Sequence, residues 1–156
     1  YTVDDLENTL HAMQDKIDTL KKSASSKQAR IKEVDELLRM VDYYKSGKPA
    51  ADKLKSIRFE KSRQKYKSEH DNELRTFYMA ERKLKPYFKD GKLPITSWRK
   101  ERAQLEQEYR DIQTELSPLH ADAKKLWAIH YNIYEVQHEQ EGQNTATRQK
   151  KQEIER

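Results

Sequence analysis

Cysteine is absent from the 156 residues, which excludes disulfide staples, a thiolate zinc site and a cysteine nucleophile. Glycine occurs three times and proline four times, too few for a phosphate-cradling loop and few enough to predict long uninterrupted helices. No apolar run approaches the ~18 residues needed to span a bilayer, and no signal-peptide pattern opens the chain. The first residue is Tyr1 rather than methionine, which reads as a fragment or a processed product. An intracellular, cytoplasmic setting fits these absences.

Charge is what the chain has in quantity. Charged residues make up 38% and hydrophobic ones 34%, so thin helical stripes are expected rather than a thick core. The net charge of +5 is unevenly spread: −2 over residues 1–44, +8 over 45–98, −3 over 99–141 and +2 over the remainder. The basic character belongs to the middle.

Two long heptad seams flank that middle. One reads Val3, Leu6, Leu10, Met13, Ile17, Leu20, Ala24, Lys27, Ile31, Val34, Leu38, Val41. The other reads Trp98, Arg102, Leu105, Tyr109, Ile112, Leu116, Leu119, Ala123, Leu126, His130, Ile133, Gln137. Both alternate steps of three and four, the spacing of helices packed along a partner. At ~1.5 Å per residue each is roughly 58–60 Å long, and the equal lengths suggest that they pair.

Thr2 is the expected N-cap of the first helix, with Asp4 and Asp5 in its first turn. Gly47 and Pro49 are expected to end it, with a short turn over 50–57. One further helix should run from Phe59 or Ser62 to Lys85 and close at Pro86. Asp90-Gly91 reads as a turn, Thr96 or Ser97 as the cap of the last helix, and Pro118 as a kink within it.

Nine of the 14 aromatic residues fall between Tyr43 and Trp98. Rings in the middle and aliphatic seams outside predict an all-α fold: an elongated antiparallel coiled-coil stalk of two long helices with a small helical head between them. The boundaries are a single helical unit over 1–141 (stalk helices about 2–46 and 97–139, head about 47–96) and a polar tail over 142–156. An up-down-up three-helix bundle is the competing architecture, disfavoured because the middle helix is too short to cover its neighbours.

The strongest chemical signal is a run of cations, Lys45, Lys48, Lys53, Lys55, Arg58, Lys61, Arg63, Lys65 and Lys67, against only Asp52 and Glu60. Tyr43, Tyr44, Phe59 and Tyr66 are interleaved. Cations neutralise phosphates and exposed rings stack on unpaired bases, so these cations and Tyr66 are the candidate nucleic-acid contacts; the bland alternative is a solvated helix face with rings packed inward. The five histidines show no metal-ligand spacing, and His130 on its seam reads as a packed residue. No catalytic constellation, metal site or cofactor is expected. Tyr43-Tyr44 lacks the histidine cluster that a DNA-nicking tyrosine would need.

The order Tyr43-Tyr44-Lys45, Lys65-Tyr66-Lys67-Ser68-Glu69-His70, Ala80-Glu81-Arg82-Lys83-Leu84 and Asp90-Gly91-Lys92-Leu93-Pro94 opening a long helix resembles the helical region C-terminal to the nuclease domain of relaxases. Those are the mobilisation proteins of conjugative plasmids and transposons. The resemblance covers about Ile31 to Glu139. It implies a non-catalytic module whose partners are DNA at an origin of transfer or relaxosome accessory proteins, with the nicking domain upstream. The alternative is a structural coiled-coil module, a homodimer or spacer, in which Lys27, Arg102, His130 and Gln137 set register. A basic surface for anionic membranes ranks last, for want of a strong apolar face.

Overall fold

The computed structural model describes residues 2–154, and side chains over 2–143. Among the described residues the fold is all-α, with four helices: α1 (Val3–Ser56), α2 (Glu60–Glu69), α3 (Asp71–Leu84) and α4 (Ile95–Ile154), plus a 3-10 turn at Lys85–Tyr87. The two long helices contact each other. No described helix is long and apolar enough to cross a membrane. The chain divides into two compact units: one is Ser26–Tyr109, and the other joins the residues up to Ser25 with those from Arg110 onward.

In the second of these, α1 buries Leu6, Leu10, Ile17 and Ala24, and α4 buries Ile112, Leu116 and Ala123. Every residue of the two predicted seams in this unit is buried or half-buried apart from Gln137, which is exposed. Lys16 meets Glu115 at 3.4 Å, and His130 Nε2 lies 3.1 Å from a Glu7 carboxylate oxygen. Pro118 lies inside α4 without interrupting it. The helix also passes the polar stretch 140–144, because glutamine and glutamate are good helix formers and Gly142 alone costs only about 1 kcal/mol.

Helix α1 starts as its sequence predicts. Asp5 N–H donates to Thr2 Oγ1 at 3.1 Å, and Thr2 N–H donates to Asp5 Oδ2 at 3.2 Å, a reciprocal capping box. The bond from the Thr2 backbone, reinforced by its hydroxyl partner, holds the Asp5 carboxyl below the usual aspartate range. A carboxyl with a lowered folded-state pKa stabilises the fold above its unfolded value, and that contribution is lost as pH falls through the folded value. Asp5→Asn should therefore unfold at lower temperature than wild type at pH 7. The difference should begin to narrow near about pH 4, the ordinary aspartate pKa, and close as pH falls further through the lowered folded value, when melting is followed by circular dichroism across pH.

The unit Ser26–Tyr109 carries the aromatic core. Val34, Met40 and Val41 of α1 pack with Ala80 and Leu84 of α3 and with Trp98 of α4. A neighbouring cluster joins Ala50, Ala51 and Leu54 to Leu74 and Phe77. Tyr44 borders both, stacked on Phe77 at 5.0 Å and tilted against Phe88 at 5.6 Å. Polar seam residues find partners across the helices: Lys27 Nζ to Glu108 at 2.7 Å, Arg30 Nε to Glu101 at 2.6 Å, and Arg102 to Asp35. These groups are a quarter or more exposed, so each pair contributes at most about 1 kcal/mol.

Three local expectations need correction. Gly47 and Pro49 do not end α1, which continues to Ser56. Gly47 is instead where α3 crosses closely, and Ala50, Ala51 and Leu54 beyond it are buried against that helix. Burial of that face offsets the hydrogen bond that Pro49 cannot donate. The single middle helix is two, broken at His70 (φ −117°, ψ 27°). Only α3 presents an apolar face, Leu74, Phe77, Ala80 and Leu84, while α2 buries nothing. Helix α4 begins at Ile95 rather than after Thr96 or Ser97: Trp98 N–H donates to the Pro94 carbonyl at 3.0 Å. The Asp90-Gly91 turn is present as expected, with φ of 52° and 73° and paired bonds between Lys89 and Lys92, the two-residue hairpin geometry.

Candidate nucleic-acid interface

The candidate cations lie on the end of α1, on the loop Ile57–Phe59 and on α2, all within the unit Ser26–Tyr109. Tyr66 is the apolar anchor of helix α2. Tyr66 is half-buried against the Leu74–Phe77 cluster, with the His70 ring 4.2 Å away and the Lys53 ammonium 5.5 Å from its centroid. At 100° per residue, the face of α2 opposite Tyr66 carries Gln64 and Ser68. Lys61 and Lys65 flank that ridge on one side, Arg63 and Lys67 on the other. All four are exposed, and none has an ion pair among the described residues.

The nine cations are not equivalent. Lys48 is paired with Asp52 at 3.9 Å and sits over the Tyr44 ring, and Lys53 is committed to Tyr66. Lys45 and Lys55 are exposed on α1, where Gly47, Ala50, Ala51 and Leu54 define the opposite, buried face. Arg58 is exposed in the loop. On the loop and α2 the unpaired cations are Arg58, Lys61, Arg63, Lys65 and Lys67, with Lys55 unpaired at the end of α1. An unpaired cation gives up no internal partner when it meets a phosphate, whereas Lys48 would have to exchange Asp52 for it.

The rings divide in the same way. Tyr66 and Tyr44 are packed; Tyr43 is 38% exposed, and Phe59, directly between Arg58 and Glu60-Lys61, is the most exposed at 78%. The sequence offers only a partial, local signal for this difference. The residues three and four positions from Phe59 are Lys55, Ser56, Ser62 and Arg63, which give it no apolar neighbour on a helix face, whereas Tyr66 has His70 four residues on. Phe59 was readable as one of the interleaved rings, but not as the exposed one.

Among the described residues no cluster of three or more His, Asp or Glu side chains is placed to hold a metal ion. His70 lies 3.7 Å from Glu73 and against Tyr66, and His130 serves the α1–α4 contact. What the surface offers is positive charge and hydrogen-bond donors on a short helix, with the exposed Phe59 ring in the loop before it. Comparison with family models, with curated proteins and with solved structures returns no match.

Proposed function

We propose that this chain is a non-catalytic helical module that binds nucleic acid through α2 and the loop before it, with Phe59 stacking on an unpaired base and Arg58, Lys61, Arg63, Lys65 and Lys67 neutralising phosphates. The observation that carries the reading is Phe59. Its ring is 78% exposed within a run of cations, and base stacking is the contact that such a surrounding favours. The setting is the one the relaxase resemblance implies, DNA at an origin of conjugative transfer. Relaxosome proteins are the alternative partner if DNA is not bound.

In this reading α1 and α4 pair as an antiparallel coiled coil within each unit. The order of contacts supports it: Lys27 with Glu108 and Arg30 with Glu101 in one unit, Glu7 with His130 and Lys16 with Glu115 in the other. The paired helices scaffold α2 and take no part in binding. Stacking contributes roughly 1–3 kcal/mol per base, so Phe59→Ala should weaken binding of a single-stranded oligonucleotide by about 5- to 150-fold, and of a duplex much less. Fluorescence anisotropy with labelled oligonucleotides measures both. Equal single-strand affinity for wild type and variant would remove Phe59 from the interface; absence of binding by either would leave the structural spacer reading.

A further inference from the structure

The unit that joins the first turns of α1 to α4 carries a second exposed apolar surface, on α4 itself. Leu126, His130 and Ile133 are half-buried on its α1 side. One position further round the helix, Trp127, Tyr131 and Tyr134 are exposed at 42%, 61% and 55%. With His138 they follow the i, i+4, i+7, i+11 spacing of a second packing stripe. Trp127 rests its edge on His130 at 5.6 Å, and Tyr134 stacks on His138 at 5.6 Å, so the rings are ordered against their own helix while their outer faces meet water.

We infer that this stripe is the contact surface for a second copy of the chain, the two α4 helices running antiparallel about an axis at Tyr131. The stripe is nearly its own complement about that residue. Tyr131 meets Tyr131, Trp127 meets the Tyr134-Glu135 position, and Lys124 meets His138 beside Glu139. Charge selects the direction. Lys124 and Lys125 stand at one end, Glu135 and Glu139 at the other; antiparallel pairing sets cation against anion, whereas parallel pairing sets like against like. A fully buried ring covers about 150–250 Å², so three half-exposed rings supply roughly 300 Å² of apolar area per copy. That is well short of the ~800 Å² per partner in standard interfaces, so the inferred association is weak, reversible and concentration-dependent.

Sedimentation velocity of the full chain from about 1 µM to about 500 µM, spanning the range of weak association, reads the equilibrium. Wild type should pass from monomer to dimer, and Tyr131→Glu/Tyr134→Glu should weaken association at least ~10-fold, as removal of central aromatic anchors does. Should the glutamates reduce helicity, Tyr131→Ala/Tyr134→Ala tests the same surface with better helix formers. Because the chain has no cysteine, orientation is read by mild oxidation of single-cysteine variants. Tyr131→Cys should cross-link to itself, and Lys124→Cys should cross-link to His138→Cys but not to itself. A monomer at every concentration, a dimer indifferent to the substitutions, or Lys124→Cys joining to itself would overturn the inference.

Discussion

Replacing Lys61, Arg63, Lys65 and Lys67 together by glutamate is expected to reduce duplex binding at least ~100-fold at about 50 mM salt, because a phosphate that meets no cation keeps its condensed counterions and their release no longer drives association. The change takes the net charge from +5 to 5 − 8 = −3. None of the four side chains is buried, and α2 has no buried residue at all, so the core built on Leu74, Phe77 and Leu84 stays as it is. Four added carboxylates in a ten-residue helix that already holds Glu60 and Glu69 do repel one another. The neutral version, all four to glutamine, removes that complication. With Arg58 alone remaining, its log affinity should fall with log salt at a slope of about −1 rather than about −4.5. A glutamine variant that kept the wild-type slope would place the phosphate contacts elsewhere on the chain.

Gly47→Ala should destabilise the protein even though alanine favours a helix over glycine by about 1 kcal/mol. A Cβ built at Gly47 would lie 2.6 Å from the Phe77 Cβ and 3.2 Å from the Glu73 carbonyl oxygen. Neither atom is the loose end of a side chain, so α3 must back away from α1. Overpacking of this kind costs roughly 1–3 kcal/mol, and Tyr44, stacked on Phe77, shares the displacement. Set against the propensity gain, the net expectation is a destabilisation of up to about 2 kcal/mol, a fall in melting temperature of up to several degrees for a chain of this size. Gly142→Ala is the matched control: nothing lies within 4 Å of its added Cβ, so propensity acts alone and stability should hold or rise slightly. Equal behaviour of the two variants would contradict the close crossing at Gly47.

The same glycine shows where the sequence was legible and where it was not. The seams from Val3 to Val41 and from Trp98 to Ile133 could be read position by position, since a three–four alternation of apolar residues is a property of one helix and one neighbour. Thr2 and Asp90-Gly91 were equally readable because caps and two-residue turns are decided within four or five residues. Gly47 and Pro49 were read locally as a stop, yet the helix passes through them because α3, some 30 residues later in the chain, covers that face. The break at His70 has the same origin: α2 and α3 look like one helix until their burial is compared. At the candidate site the cations were visible as a run, but their grouping into paired and unpaired members, and the exchange of Tyr66 for Phe59 as the stacking ring, depend on which side of α2 meets the Leu74–Phe77 cluster.

Binding of DNA by the unmodified chain across a salt series tests the proposed interface most directly. Five phosphate contacts, from Arg58, Lys61, Arg63, Lys65 and Lys67, predict a duplex slope near −4.5, equivalent to a roughly 500-fold fall in affinity between about 50 mM and about 200 mM salt, and a single-strand slope near −3.5. A duplex and a single strand that both fail to bind at the lowest salt, or a slope near zero, would contradict it.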